Sequence, residues 1–410
     1  MYLANVLKGV SLRRGSLRRV AVGNVVALGT VSLFTDISSE MVTAVLPAYL
    51  VLGLHLSLVS YGVLDGLYTG ATAFTRLAGG YLADRLHRRK LIAGLGYGLS
   101  AVSKVGLLVA GGSAVAIGAV IAVDRTGKGI RTAPRDALIA SSVPERDLGQ
   151  AFGLHRAMDA CGAFLGPLAA IGVLALAGGD SYDSVFFASL CVALIGVLVL
   201  MVFVRNQAGD VVVSEVRPAR VRALLQAGRF RRLCVVAAML GLVTVGDGFV
   251  YLVLQDRDDL PAIAFPLLAV GTSLSFVILA VPLGRLADRV GRWPVIVLGY
   301  ACLLAVYLIL SWGHGPLALI VVLYGAFYAA TDGVLPALAA PLIPDALKTT
   351  GLALLQTGQA LAYFGSSVAF GVLWHYVGVE VACLCAAAFA LAVLPVCALV
   401  LRPVGPGAGS

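Results

Sequence analysis

The sequence predicts an all-α integral membrane protein of about twelve transmembrane helices, built as two parallel six-helix repeats. Three observations lead there. Hydrophobic residues make up 60% of the 410 and charged residues only 12%, with a mean hydropathy of +0.96. Soluble domains carry about 25% charged residues, so this chain has too little polar surface to cover itself in water. Apolar runs long enough to cross a bilayer, roughly 20 residues each, recur about twelve times. A polar turn also occurs twice, as Gly80-Tyr81-Leu82-Ala83-Asp84-Arg85-Leu86-His87-Arg88-Arg89 and Gly284-Arg285-Leu286-Ala287-Asp288-Arg289-Val290-Gly291-Arg292-Trp293, with its two copies 204 residues apart. A duplication over half the chain points to two bundles that move against each other.

The apolar runs fall at 20–52, 58–82, 89–110, 114–141, 147–176 and 183–204, then at 231–254, 262–286, 293–312, 316–341, 348–376 and 380–401. None alternates polar and apolar residues with period two, so they are helices and not barrel strands. The first follows Arg13, Arg14, Arg18 and Arg19 and resembles a secretory leader. It is too long and has no clear small-x-small cleavage site, so it is expected to be the first span. The polar turns link the second run of each half to the third. A weaker echo, Val143-Pro144-Glu145 and Ile343-Pro344-Asp345, follows the fourth. Residues 205–230 form the longest polar stretch. The expected division is a six-helix bundle over 1–204, a cytoplasmic linker over 205–230 and a second bundle over 231–410.

The net charge is +9, but its distribution is a topology signal and not a nucleic-acid footprint. Basic residues crowd alternate connections: Arg13 to Arg19, Arg85 to Lys90, Arg205 to Arg232, and Arg289 with Arg292. The positive-inside rule puts those connections and both chain ends in the cytoplasm of a cell whose inner (plasma) membrane holds the protein. The seven cysteines all lie in expected spans, which predicts free thiols. Hydrolase, zinc-protease and phosphate-loop motifs are absent, so no enzyme activity, ATP-driven step, cofactor or metal is expected.

An ionisable group inside a span costs about 2.5–3.5 kcal/mol on insertion scales, and it is kept where it pairs or lines a wet cavity. The first half carries most of them: Asp36, Glu40, Asp65, Lys104, Asp124, Arg125, Lys128, Arg131, Arg135, Asp136, Arg156 and Asp159. The second offers mainly Asp247 and Asp332. Asp36 and Glu40 share one helix face. Two carboxylates that close oppose each other's charge, and burial does too, which suits a proton carrier; the structural alternative is a polar cluster or a counter-charge for the fourth span. On that span Asp124, Lys128, Arg131 and Arg135 form one stripe, with Arg125, Thr132 and Asp136 beside it. Counted from Ser113, Arg125 lies about 18 Å deep, near the midplane. It is expected to serve a carboxylate such as Asp36 or Asp159 and to trade it during transport. Arg131 and Arg135 either join that network or snorkel at the cytoplasmic edge. His155 is either a titrating group or a hydrogen-bonded packing residue. The proton-coupling set is therefore Asp36, Glu40, Asp124, Arg125 and Asp159. Lys128, Arg131, Asp247, Asp332, Gln356 and Gln359 are candidates for the substrate cavity.

These residues resemble the major facilitator superfamily over nearly the whole chain. The duplicated turn is similar to that family's Gly-x-Leu-Ala-Asp-Arg-x-Gly-Arg-Arg signature between its second and third helices, departing at His87 in one copy and Trp293 in the other. Arg125-Thr126-Gly127-Lys128-Gly129 resembles the helix-four motif Arg-x-x-Gln-Gly, with Lys128 in the glutamine place. Gly153, Gly162, Gly166 and Pro167 match the antiporter motif of the fifth helix, whose final glycine pair is replaced here by Ala170 and Ile171. The resemblance implies gating by Gly80, Asp84, Arg85 and Arg88 and by Gly284, Asp288, Arg289 and Arg292. It also implies close helix packing by the antiporter-motif residues and a monomer. The function expected is a proton-coupled exporter of a small molecule working by alternating access. A symporter importing an anionic solute is the alternative, and a non-transporting membrane sensor or assembly factor is a remote one.

Overall fold

The computed structural model describes residues 23–401 except 87–88, 144–147, 179–180, 206–217, 262, 314, 333 and 345–346. The side chains of 73–74, 76–86, 140, 148–150, 218–221, 340, 348–349 and 401 are likewise outside the described set. The described chain is helical throughout. The first six helices are α1 (Asn24–Ala48), α2 (Leu58–Leu86), α3 (Arg89–Val109), α4 (Ala114–Ser142), α5 (Leu148–Leu176) and α6 (Tyr182–Phe203). After a short helix within the polar stretch, α7 (Pro218–Gln226), come α8 (Gly228–Val243), α9 (Asp247–Asp258), α10 (Ala264–Val290), α11 (Arg292–Ser311) and α12 (Leu317–Thr331). The last three are α13 (Val334–Ala339), α14 (Lys348–Val377) and α15 (Val379–Leu401).

Ten of these segments are long and apolar enough to cross a membrane, with α8–α9 and α12–α13 each counted as one. The expected twelve include two more, α2 and α4, which have the length at 29 residues each but are too polar to pass on composition, α4 through its charges and α2 through its glycines, hydroxyls and tyrosines. Pro47 lies inside α1, and a π-helical turn, Tyr49–Gly53, follows it. A proline lacks the N–H that the ladder needs, so a local change of pitch just beyond it has an identifiable cause.

Packing groups the described residues into two units. One joins α1–α6 with Asp247–Leu274; the other joins Ser214–Gly246 with the chain from Ser275 onward. In the first, α1 packs on α5 and α6, α4 packs on α2 and α3, and α3 packs on α6. Its buried apolar core includes Val25, Leu28, Val31, Tyr97, Leu138, Ile139 and Leu200. α9 joins this unit with Gly248 set against Tyr61 and with the Tyr61 and Phe249 rings edge to face at 4.7 Å. In the second unit α8 packs on α14 and α15, and α11 packs on α12 and α15.

The seventh span, expected as a continuous helix, is interrupted. The break between α8 and α9 at 244–246 strands backbone groups in a dry interior, where each unsatisfied group is costly. Three buried tyrosines supply the missing partners. The Tyr307 hydroxyl accepts from the Val245 N–H at 2.8 Å and donates to the Val243 carbonyl at 2.8 Å. Tyr324 donates to the Val245 carbonyl at 2.8 Å, and Tyr300 reaches the Leu240 carbonyl at 3.3 Å. Tyr307→Phe should therefore leave two buried backbone groups unpaired at a cost of about 1–3 kcal/mol. A lowered thermal unfolding midpoint in detergent checks this; an unchanged midpoint would show that the break is satisfied in another way.

Candidate functional site

Glycines decide which helices approach closely enough to share buried charges. A Cβ on Gly162 of α5 would lie 2.6 Å from the Leu33 carbonyl and 3.1 Å from the Asp36 Cβ. One on Gly166 would lie 2.5 Å from the Glu40 Cβ and 2.9 Å from the Ile37 carbonyl. The antiporter-motif glycines thus seat the Asp36 and Glu40 face of α1 on α5, and Pro167 follows on the same helix. Gly153 is half-buried near the start of α5. Gly166→Val adds three carbons where none fits. Overpacking costs about 1–3 kcal/mol, so this variant should melt at lower temperature, and Gly166→Ala should fall between it and the natural chain.

A second glycine pair joins α3 to α4. A Cβ on Gly96 would lie 2.7 Å from the Gly127 carbonyl, and one on Gly127 would lie 2.6 Å from the Gly96 carbonyl. This approach carries Asp124 into a ring of α3 donors. Its Oδ1 accepts from Ser100 at 2.6 Å, Ser103 at 3.1 Å and the Lys104 ammonium at 2.6 Å. Its Oδ2 takes Nε of Arg125 at 2.8 Å and the Arg125 Nη2 as well. The Arg125 guanidinium lies over the Tyr68 ring, 3.8 Å from its centre, which adds a cation–π contact. Arg125 therefore does not serve Asp36 or Asp159, as the sequence suggested. Its long side chain folds back onto the adjacent carboxylate, on the side of α4 that faces α2 and α3.

Arg131 and Arg135 take the expected place. Arg131 stands 3.9 Å from Asp36 and 4.7 Å over the centre of the Tyr97 ring. Arg135 pairs with Asp136 at 2.9 Å and stands 3.9 Å from Asp159, which Arg156 approaches at 3.5 Å. Arg131 is 2% exposed and Arg135 7%, which rules out snorkelling at a lipid edge. His155 is fully buried, with Nε2 3.4 Å from the Ser32 hydroxyl, and behaves as a hydrogen-bonded packing residue. One oxygen of Asp159, Nη1 of Arg131 and Nδ1 of His155 are buried without a hydrogen-bond partner among the described residues. The side chains of Glu40 and Lys128 have neither a hydrogen bond nor an ion pair there, although each lies within electrostatic reach of the other. Ser100, Ser103, Tyr68, Tyr97 and Ser32 were not foreseen. The spacing of Ser100, Ser103 and Lys104 on one face of α3 was the available signal.

Of the remaining candidates Asp247 lies within electrostatic reach of Glu40, and the others scatter. Asp247 opens α9, where its carboxylate accepts from the Gly248 N–H at 2.9 Å. Asp332 and Gln356 are exposed, and Gln359 is half-buried with its carbonyl close to Gly241. In the second polar turn Gly291 adopts φ 98°, a left-handed conformation that suits glycine, and so lets α10 end and α11 begin. Arg292 donates to the Ala337 carbonyl of α13 at 2.8 Å. Gly284 is buried, and Asp288 and Arg289 are exposed. In the first turn Gly80, Asp84 and Arg85 end α2 with side chains outside the described set, and Arg88 lies outside the described residues. The cysteines are free thiols.

Comparison with known proteins agrees with this architecture. The Major Facilitator Superfamily model matches residues 28–364 and 259–409. An uncharacterized MFS-type transporter of Methanocaldococcus jannaschii is 31% identical over 86% of this chain and 88% of its own. The multidrug resistance protein MdtG of Enterobacter lignolyticus is 31% identical over 52% of this chain and 51% of its own. Among solved structures, the nucleoside transporter NupG superposes with a TM-score of 0.76 at 14% identity, covering 92% of this chain and 99% of that one. Spanning helices that carry the duplicated turn, a family model matching most of the length and a homologue aligned along nearly all of it lead to one conclusion: this chain belongs to the major facilitator superfamily, whose members are multi-pass membrane transporters of small molecules.

Proposed function

We propose that the protein is a proton-coupled exporter, an antiporter that carries a small molecule out of the cell by alternating access. It acts as a monomer in the inner membrane with both termini in the cytoplasm, as the basic excess in alternate connections supports. The observation that carries the reading is the pair Asp36 and Glu40, clamped against α5 by Gly162 and Gly166 and met by the basic stripe of α4. The pairs Arg131–Asp36 and Arg135–Asp159, both at 3.9 Å, are loose enough to exchange partners. A proton arriving on Asp36, Glu40 or Asp159 removes a charge that an arginine was balancing, and the altered pairing biases one state of the carrier over the other. Asp124 and Arg125 hold α3 and α4 in register for that exchange. The duplicated turns act as cytoplasmic gates, Asp84 and Asp288 each closing one copy. The likeness to a multidrug resistance protein over half of the chain supports export.

Lys128 favours a second reading, import of an anionic solute with protons, because a cation on the α4 stripe without an ion pair among the described residues is suited to hold one. One experiment separates the two. Everted vesicles enriched in the protein are screened with labelled toxic compounds and organic acids, with and without a protonophore. An exporter accumulates its compound inside them only while the proton gradient stands. Accumulation of an organic acid in right-side-out vesicles alone would establish the importer.

A further inference from the structure

Helices α1–α4 border a cavity of about 20 Å³ lined by Ser39, Tyr68, Ser103, Lys104, Asp124 and Arg125, with apolar walls from Val42 and Leu107. Such a space takes one water or an ion little wider, and no organic solute. Its direct ion pairs do not match one for one. Lys104 and Arg125, both 3% exposed, share a single carboxylate, Asp124. A further carboxylate, Glu40, is within electrostatic reach of Arg125 but also of Lys128, and it forms an ion pair with neither among the described residues. Both oxygens of Asp124 are already occupied by donors from Ser100, Ser103, Lys104 and Arg125. A separate observation concerns Ser39: its hydroxyl borders the cavity, the residue is 2% exposed, and the Oγ has no hydrogen-bond partner among the described residues. A buried hydroxyl without an acceptor costs free energy unless something fills the role.

We propose that this cavity is a binding site for a small monovalent anion of halide size, held by the Lys104 ammonium, the Arg125 guanidinium and the Ser39 hydroxyl. The anion gives the α3–α4 junction a second counter-charge in direct contact and gives the orphaned hydroxyl its acceptor. It is independent of the transported substrate, which the volume excludes.

The test uses the purified full chain in detergent at fixed ionic strength. Sodium gluconate is replaced stepwise by sodium chloride, and in a parallel series by sodium bromide, while the thermal unfolding midpoint is recorded. The site predicts a midpoint that rises and saturates with chloride and bromide, because a ligand that binds only the folded state stabilises it by mass action. Ser39→Ala removes the hydroxyl without adding bulk. It should shift the half-saturating chloride concentration upward about tenfold, the loss of one hydrogen bond to a charged group. Lys104→Met should abolish the response if it folds, but Ser39→Ala decides the matter without it. Superimposable gluconate and chloride curves would mean that a water fills the cavity and would overturn the proposal. So would a midpoint that climbs linearly without saturation, or a Ser39→Ala variant with the natural half-saturation point.

Discussion

Asp124→Asn is expected to be the most destabilising single change in the first six helices. The carboxylate is the only counter-charge in contact with two buried cations among the described residues, Lys104 at 2.6 Å and Arg125. Asparagine keeps the shape and removes the charge. Breaking a buried pair by removing one partner costs about 3–5 kcal/mol, because the other partner stays buried and uncompensated. Here two partners are stranded at once, and total stabilities run only to about 5–15 kcal/mol. The variant should therefore melt far below the natural chain or fail to accumulate in the membrane. Adding Lys104→Met removes one stranded cation and should restore part of the loss. The double variant would then be more stable than Asp124→Asn alone, a coupling read directly from a double-mutant cycle. If the two changes instead add independently, Asp124 and Lys104 do not depend on each other in the way their geometry indicates.

How much of this was legible in the sequence depended on the kind of contact. The α4 stripe of Asp124, Lys128, Arg131 and Arg135 followed from helical spacing alone, and so did the sharing of one face by Asp36 and Glu40. Gly162 and Gly166 were marked by family resemblance, and their close approach to α1 supplies the physical reason. The partner chosen by each arginine was not legible. Arg125 was expected to reach Asp36 or Asp159 but lies on Asp124, because rotation of α4 against α1, α3 and α5 is settled by packing, above all at Gly96 and Gly127. The interruption at 244–246 was hidden for a related reason. Val243-Thr244-Val245-Gly246 carries no proline and reads as a continuous apolar run. The hydroxyls that make a break tolerable there come from Tyr300, Tyr307 and Tyr324, at least 56 residues further along the chain. Contacts set by a helix's own periodicity are visible in one sequence; contacts that require two helices to meet at a given rotation are not.

The second large effect concerns the carboxylates assigned to the coupling proton. Asp36→Asn with Glu40→Gln keeps the size and hydrogen-bonding capacity of both groups and removes their ability to exchange a proton. Arg131 loses a counter-charge at 3.9 Å but retains its place over the Tyr97 ring, and Lys128 loses the field of both carboxylates but no direct ion pair with either. The variant should fold. With Asp159 left as its one proposed proton acceptor, it loses the α1 sites that load the proton and cannot harvest the gradient, yet both states of the carrier remain accessible to substrate. Uphill transport should fall to the level of protein-free vesicles, while exchange of labelled for unlabelled substrate across the membrane should continue at close to its natural rate. The decisive measurement compares these two rates in proteoliposomes, using the compound that the vesicle screen identifies. Loss of uphill transport with exchange preserved is the result expected if the charges buried beside α1 couple protons to movement of the substrate. Full accumulation by the double variant under an imposed pH gradient would contradict it and remove Asp36 and Glu40 from the mechanism.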